Sequence, residues 1–318
     1  MGQEAGEVTG GDAGGDSSGG GCPIGPSSGG SSAGLVTTLA SGQSGPVAIA
    51  VDSTNVYWTN EIGGTVMSVP IGGGAPTTIA TGQNGAYGIA VDPSNVYWTT
   101  SATGNVVASP LDGGPPTVIA TLQVQPRDIA ATAGTAYWTN YDGDDVMSAL
   151  VGDDAGAATF AVGQAQPAGI TVDATHVYWL DQGGGTVMSA PLTGGAPSLL
   201  AGNQGAPNEI TVDSASVYFT NAATDGGTIV KVPLGGGSPV VLAPATGPWG
   251  IVVDSSNVYW TDLGAGTVMR VPVAGGTPVV VASGQPCPQG IALDATSVYW
   301  TNVGQGQAAG TVMKIAKP

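Results

Sequence analysis

The sequence has 318 residues, including 55 glycines and 23 prolines, and its 22 acidic residues against five lysines and arginines give a net charge of −17. Strand formers interrupted by turn formers are typical of an all-β protein, and the frequent Gly and Pro leave no window with a sustained helical pattern. The acidic surface argues against nucleic acid and anionic membranes as partners, and no apolar run approaches the roughly 20 residues of a membrane-spanning helix.

The first segment, residues 1–34, is rich in Gly, Ser and acidic residues, so we expect a flexible tether with nothing to bury. Such tethers often follow a cleaved export signal, which predicts an extracellular, cell-surface or periplasmic location with the signal peptide removed. Cys22 lies in the tether and Cys287 in a later loop, and the two either form a disulfide or remain unpaired thiols. No spacing of Cys and His residues predicts a zinc site.

A motif with the form NVYWTN occurs seven times in the chain, first at residues 55–60. Around each copy, four short strand patterns are separated by turn residues, such as GIAVD, NVYWT, NVVASP and PTVIAT within residues 85–123. A period near 40 residues with four strands predicts one blade of a β-propeller. The seven motif tyrosines are Tyr57, Tyr97, Tyr137, Tyr178, Tyr218, Tyr259 and Tyr299.

The two ends of the chain predict how the ring closes. The last repeat stops before a fourth strand, whereas LVTTLASGQ at residues 35–43 matches the fourth-strand pattern PTTIATGQ. We therefore predict an all-β fold over residues 35–318, a monomeric seven-bladed β-propeller of four-stranded blades, with the N-terminal strand completing the last blade. This closure removes an otherwise open sheet edge.

The segments VYWTD (258–262) and GIVVD (250–254), with variants in every blade, resemble the YWTD-type propellers of the low-density lipoprotein receptor family. In style the repeats are most similar to uncharacterised exported bacterial propeller proteins. The resemblance covers residues 35–318 and implies a propeller fold and secretion, but it implies no particular chemistry. The receptor propellers have six blades and accompanying modules, whereas this chain is expected to have seven blades and no such modules.

The repeated residues have a structural interpretation. Tyr and Trp of strand two point to opposite faces of a blade, so both are expected in the cores between blades, together with the Met that five of the units contain. An aspartate that ends strand one is expected to accept hydrogen bonds from the following turn, where His176, the single histidine, should be solvated. These aspartates are Asp52, Asp92, Asp173, Asp213, Asp254 and Asp294.

Function is expected where a blade departs from the repeat. Tyr87 and Trp249 directly precede strand one, and Tyr141 directly follows strand two, so all three aromatic residues should lie at one end of the central channel. Around this channel mouth, the residues that we expect to bind a ligand are Tyr87, Arg127, Asp128, Tyr141, Asn208, Glu209, Trp249 and Gln289.

Three charged features have alternative interpretations. The run Asp142, Asp144 and Asp145 could bind calcium, although a solvated acidic turn is the favoured interpretation, since charge runs usually face water. Arg127 could clamp a ligand or pair with a neighbouring acid. A stripe of basic residues in three consecutive blades could form a partner-binding edge, although exposed residues that balance the surface charge are the favoured interpretation. It consists of Lys231, Arg270 and Lys314.

The mouth residues favour a non-enzymatic binding protein for a glycan, a peptide or a small molecule, possessing no cofactor. A calcium-dependent enzyme of lactonase, lyase or hydrolase type is an alternative, with Asp128 and Glu209 as acid and base and Arg127 as electrophile. A similarity to seven-bladed streptogramin lyases fails at their catalytic histidine, for which the mouth offers no candidate. A protein-interaction scaffold is the third possibility.

Overall fold

The computed structural model describes residues 34–223, 226–304 and 309–318. Cys22 and the predicted tether, apart from Gly34, lie outside the described residues, so the tether and the domain boundary stay predictions. The described residues form seven four-stranded antiparallel sheets and contain no helix, hence no helix that could cross a membrane.

Each blade runs from an innermost strand at the channel to an outermost strand at the rim. The N-terminal strand is β1 (Thr37–Gln43). Blade one contains β2 (Pro46–Val51), β3 (Asn55–Asn60), β4 (Thr65–Pro70) and β5 (Thr77–Thr81). Blade two contains β6 (Ala86–Val91), β7 (Asn95–Thr100), β8 (Asn105–Pro110) and β9 (Thr117–Ala120). Blade three contains β10 (Pro126–Thr132), β11 (Thr135–Asn140), β12 (Asp145–Leu150) and β13 (Ala158–Val162).

The second half of the ring repeats this order. Blade four contains β14 (Pro167–Val172), β15 (His176–Asp181), β16 (Thr186–Pro191) and β17 (Ser198–Ala201). Blade five contains β18 (Pro207–Val212), β19 (Ser216–Asn221), β20 (Gly227–Pro233) and β21 (Val240–Ala245). Blade six contains β22 (Pro248–Val253), β23 (Asn257–Asp262), β24 (Thr267–Pro272) and β25 (Val279–Ala282). Blade seven contains β26 (Pro288–Leu293), β27 (Ser297–Asn302) and β28 (Gly310–Ala316).

The ring closes as the sequence predicts. Strand β1 pairs antiparallel with β28, so blade seven has the order β1-β28-β27-β26 from rim to channel. Each innermost strand packs against the innermost strands of the two adjacent blades, and β26 returns to β2. The seven-bladed propeller of four-stranded blades is therefore confirmed.

The motif aromatics form the cores between blades. Tyr97 of blade two and Trp138 of blade three, for example, belong to one buried cluster, with Met147 packed at its edge. Six further clusters pair a motif Tyr with the Trp, or in one case the Phe, of the next blade in the same way. The Trp138 indole also donates to Gln123 Oε1 at 3.0 Å. The prediction that the aromatic pair is structural is confirmed.

The strand-one aspartates bind both the turn and the motif tyrosine. Asp92 Oδ1 accepts from the main-chain nitrogens of Ser94 and Asn95 at 2.8 Å, and its Oδ2 accepts from the Tyr97 hydroxyl at 3.0 Å. The first pair of bonds was expected from the sequence, whereas the tyrosine bond was not. One carboxylate thus joins the turn to the core between blades.

Two residues of the basic stripe bridge neighbouring blades. Lys231 Nζ donates to the Val273 carbonyl of blade six at 3.1 Å, and Lys314 Nζ donates to the Ile71 carbonyl of blade one at 2.8 Å. Both lysines are half-buried. Their role in joining blades differs from the exposed charge-balancing role that the sequence favours.

One half of the expected disulfide can be located. Cys287 is disulfide-bonded and only 3% exposed, in the loop that leads to the innermost strand of blade seven. Cys22 lies outside the described residues, and its pairing with Cys287 stays a prediction.

Candidate functional site

The scaffold holds the main chain of the channel mouth in place. The second residue of each innermost strand lies at this end, and its carbonyl accepts from the strand-two threonine of the preceding blade, except in blade five, where the preceding blade has Leu180 in place of the threonine. Thr59 Oγ1 donates to the Tyr87 carbonyl at 2.6 Å, and Thr220 Oγ1 donates to the Trp249 carbonyl at 3.1 Å. Because these bonds use only main-chain oxygens at the mouth, the side chains there are free to differ between blades.

The next residue in each innermost strand is usually glycine, since the adjacent strand approaches closely. A Cβ atom on Gly250 would lie 2.6 Å from the Gln289 carbonyl oxygen. The amide of Gly250 donates to Thr261 Oγ1 at 2.9 Å, whereas the equivalent distances at Asp128 and Glu209 are 3.2 and 3.1 Å. Two acidic side chains therefore occupy a position that packing restricts, which indicates a role beyond the scaffold.

These two acids meet two of the predicted aromatic residues in one cavity. A cavity of about 90 Å³ lies in the channel mouth and is lined by Tyr87, Asp128, Glu209 and Trp249. Isoleucines of the innermost strands form its apolar wall, among them Ile49, Ile89, Ile251 and Ile291. A water molecule takes about 30 Å³ of liquid volume, so the space suits a group of a few heavy atoms rather than a whole glycan or peptide.

Arg127 forms a second cluster beside this cavity. Its guanidinium carbon lies 4.8 Å from the ring centre of Tyr141 and 5.9 Å from that of Tyr87. Its Nη2 donates to Asn208 Oδ1 at 2.9 Å, which joins blade three to blade five. Of the two interpretations of Arg127, the structure shows an internal contact, although with an amide and two rings rather than with a paired acid.

Gln182 is a mouth residue that the sequence reasoning missed. Its Oε1 accepts from the Tyr141 hydroxyl at 2.7 Å. Gln182 follows strand two of blade four, as Tyr141 follows strand two of blade three, so a comparison of the blades at this position could have found it. Tyr141, which makes this bond, is buried at 6% exposure, and its ring packs against the Arg127 guanidinium.

The electrostatics of the cavity favour neutral carboxyl groups or a bound cation. Burial raises the pKa of Asp128 to about 6, opposed by hydrogen bonds to its carboxylate from main-chain amides such as that of Ile170, which lies 2.9 Å from Oδ2. Burial also raises the pKa of Glu209 well above its usual range; the charge of Asp128 adds to the shift, whereas Arg127 opposes it. Two desolvated carboxylates near each other are stabilised by a proton or by a cationic ligand.

The two amide residues predicted for the site are buried with unused hydrogen-bonding capacity. Asn208 is 3% and Gln289 is 5% exposed. Within the described part of the chain, Asn208 Nδ2 and Gln289 Oε1 have no hydrogen-bond partner. Buried polar atoms are normally paired, so these two need an explanation at this end of the channel.

The structure thus divides the eight predicted site residues into groups. Tyr87, Asp128, Glu209 and Trp249 line the cavity, and Arg127, Tyr141 and Asn208 form the adjoining cluster. Gln289 occupies the equivalent ring position in blade seven, where it is buried and does not line the cavity.

Other residues considered from the sequence lie elsewhere or are already engaged. His176 begins strand two of blade four, at the opposite end of the channel, where its Nδ1 lies 2.9 Å from Thr175 Oγ1. In the acidic run, Asp144 Oδ1 accepts from the Gln166 amide and Asp145 Oδ1 accepts from Asn140. Residues 34–223, 226–304 and 309–318 contain no group of three or more metal-type ligands, and calcium binding stays untested.

Comparisons with solved structures show what the fold is similar to. A streptogramin B lyase structure superposes with a TM-score of 0.75 at 15% identity, covering 89% of this chain and 98% of that one. A virginiamycin B lyase from Staphylococcus aureus gives 0.72 at 14% identity, covering 88% and 98%. A chain of a nidogen/laminin complex gives 0.58 at 23% identity, covering 70% and 90%.

No protein-family model matches the sequence, and no curated protein matches it. At identities below a quarter, the structural likenesses show the propeller fold and carry no activity to this chain.

Proposed function

We propose that this chain is a non-enzymatic exported binding protein that holds a small molecule, or the end of a glycan or peptide, at the channel mouth. The observation that carries the proposal is the placement of Asp128 and Glu209 where four of the other five blades have glycine and one has alanine, in one cavity with Tyr87 and Trp249. Aromatic faces and carboxylates together suit a ligand with an apolar surface and a hydrogen-bond donor or positive charge.

The size of the cavity supports a specific arrangement of the ligand. Only a terminal group fits into about 90 Å³, while the rest of the ligand extends over the mouth towards Arg127 and Tyr141. The proposal includes a bacterial, secreted protein of the YWTD type, on the strength of the motif resemblance and the acidic Gly/Ser-rich N-terminal segment.

A ligand screen followed by substitution tests the proposal. Thermal-shift measurements against glycan, peptide and metabolite panels identify a binder. The double variant Tyr87→Ala/Trp249→Ala is then expected to weaken its binding by at least about tenfold, as expected for aromatic anchors, with little change in melting temperature. Both side chains are half-buried at the mouth, and their main-chain bonds survive the substitution.

The control variant is His176→Ala, which removes a ring from the opposite end of the channel. It should leave binding unchanged. Undiminished binding by the double variant, or an equal loss in the control, would overturn the proposal.

A further inference from the structure

The grooves between blades at the end opposite the mouth are not filled in the same way. Each groove lies beside the motif tyrosine of one blade and the strand-three residue paired with it. Tyr218 pairs with Lys231 and Tyr299 pairs with Lys314, whereas Tyr57 pairs with Ser68. Blade one therefore has a short hydroxyl side chain where blades five and seven have lysine.

The two lysines show how this type of groove accommodates an alkylammonium group. Each Nζ lies 5.4 Å from the ring centre of its paired tyrosine, Tyr218 or Tyr299. Each also donates to a carbonyl in the loop after strand three of the next blade, at Val273 or Ile71. The groove therefore binds an ammonium group in two ways: the tyrosine ring attracts the positive charge, and a main-chain carbonyl accepts a hydrogen bond from the ammonium.

The groove between blades one and two is open. A pocket of about 310 Å³ lies there, lined on one side by Tyr57, Ser68 and Thr78 and on the other by Ser109, Pro110 and Leu111. Leu111 occupies the same loop position in blade two as Val273 in blade six and Ile71 in blade one. In all three residues the main-chain amide donates to the turn between strands one and two of the same blade, at 2.9 to 3.0 Å. The carbonyl of Leu111 is thus the counterpart of the two that accept from lysine.

The charge around this groove also favours a cation. Asp52 Oδ2 accepts from the Tyr57 hydroxyl at 2.9 Å, and Asp213 stands in the same relation to Tyr218 in a groove that holds a lysine. Burial raises the pKa of Asp213, but hydrogen bonds to its carboxylate lower it below the ordinary value, and the charge of Lys231 adds to the lowering, so the ammonium and the carboxylate interact. The net charge of −17 adds a general attraction for cations.

We propose that the groove between blades one and two is a binding site for an extended aliphatic chain that ends in a primary ammonium group. The ammonium takes the place of the lysine Nζ of blades five and seven, over the Tyr57 ring and against the Leu111 carbonyl. The aliphatic chain lies along Ser68 and Pro110. This site is separate from the channel mouth and does not depend on the proposed function there.

Two sources can supply this chemistry, a free amine and a lysine side chain of a peptide. Calorimetric titration of the wild-type protein with n-butylammonium, and separately with Nα-acetyl-lysine methylamide, distinguishes them. Binding of either supports the site and identifies the source, and binding of neither overturns it. The neutral isostere n-butanol should bind at least about fivefold more weakly, because it lacks the charge that the tyrosine face attracts.

The chain offers a matched pair of variants. Ser68→Lys should abolish amine binding and raise the melting temperature, since it fills the groove as blades five and seven do. Ser148→Lys introduces the same charge at the equivalent position of blade three, where Phe160 already packs at 5.3 Å from the Tyr137 ring. This control should bind the amine like the wild type. Equal binding by Ser68→Lys and the wild type would overturn the assignment.

A crystal structure of the wild-type protein with n-butylammonium makes the test independent of how the variants fold. The ammonium nitrogen is expected within hydrogen-bonding distance of the Leu111 carbonyl oxygen. Density for the amine at the channel mouth alone would overturn this site and would support the separate proposal made for the mouth.

Discussion

At the scale of single residues, the motif tyrosine contributes differently in different blades. Tyr97 is fully buried and donates to Asp92 Oδ2. In blade three, Thr132 replaces that aspartate, and the Tyr137 hydroxyl makes no hydrogen bond within the described residues. Asp92 of blade two connects to blade three instead, since its Oδ2 also accepts from the Gly134 amide of that blade at 2.8 Å. The motif tyrosine therefore contributes only apolar packing in blade three, whereas in blade two it contributes apolar packing and a buried hydrogen bond.

This difference predicts unequal costs for one substitution. Tyr97→Phe should lower the free energy of unfolding by about 1 to 2 kcal/mol, because it removes a buried hydrogen bond to a charged group. Tyr137→Phe should lower it by less than about 0.5 kcal/mol, since the ring stays and no bond is lost. Urea unfolding of both variants measures the difference, and equal losses would contradict the role given to the aspartate.

At the scale of elements, a threonine that follows the motif Trp, or Phe219 in blade five, joins six of the seven blades to the next blade. Thr99 is fully buried; its Oγ1 accepts from the Gly88 amide of its own blade at 2.9 Å and donates to the Arg127 carbonyl of blade three at 2.7 Å. One hydroxyl thus satisfies two main-chain groups on adjacent innermost strands. Blade four has Leu180 at this position and lacks the hydroxyl.

Replacing this hydroxyl by a methyl group tests the junction. Thr99→Val should lower the free energy of unfolding by about 2 to 4 kcal/mol, because a buried amide and a buried carbonyl both lose their partner. Thr77→Val, at an exposed position at the start of β5, should change it by less than about 0.5 kcal/mol. A Thr99→Val protein with the wild-type denaturation midpoint would show that the bond does not join the blades.

At the scale of the whole molecule, the aspartates divide into one group whose pKa is lowered and another, inside the ring, whose pKa is raised by burial. Most of the strand-one aspartates have a pKa lowered by hydrogen bonds in spite of burial, as at Asp92. Burial instead raises the pKa of Asp128 in the channel to about 6, and the pKa of Asp181 near the end of strand two to about 6. The strand-one aspartates, whose pKa is lowered, stabilise the fold at pH values above the ordinary pKa of aspartate. Asp128 and Asp181, whose pKa is raised, stabilise it at pH values below that ordinary pKa.

The pH dependence of stability follows from this sign. For Asp128, the folded pKa of about 6 exceeds the ordinary value of 3.8, so its contribution is complete below pH 3.8 and is lost as the pH rises through 6. Asp128→Asn should therefore be more stable than the wild type at pH 7, by about 1 to 3 kcal/mol, with the difference vanishing below pH 4.

Chemical denaturation from pH 4 to 8 measures this difference. The control is Asp142→Asn, which removes the same charge from an exposed position outside the channel. The proposed shape of the curve would be wrong if both variants followed the same pH profile.

The sequence by itself determined the features that repeat. The number of blades, their four strands and the burial of the aromatic pair follow from the period, because each depends on local patterning within about 40 residues and on contacts between sequential repeats. The closure by the N-terminal strand joins opposite ends of the chain, and it was visible because a fourth-strand pattern stands at the start and is missing from the last repeat. The sequence also identified Tyr87, Tyr141 and Trp249 as departures from the pattern, since a departure is visible wherever the repeat is regular.

Only the tertiary structure decided how these departures meet. Arg127 bonds to Asn208, 81 residues away, and Tyr141 bonds to Gln182, 41 residues away, because ring curvature brings their blades together at the mouth. The packing between blades likewise decides that Lys231 bonds to blade six and that the groove beside Ser68 stays open. Such contacts depend on the radius of the ring and on side-chain reach across it, and neither quantity is encoded in the spacing of a motif.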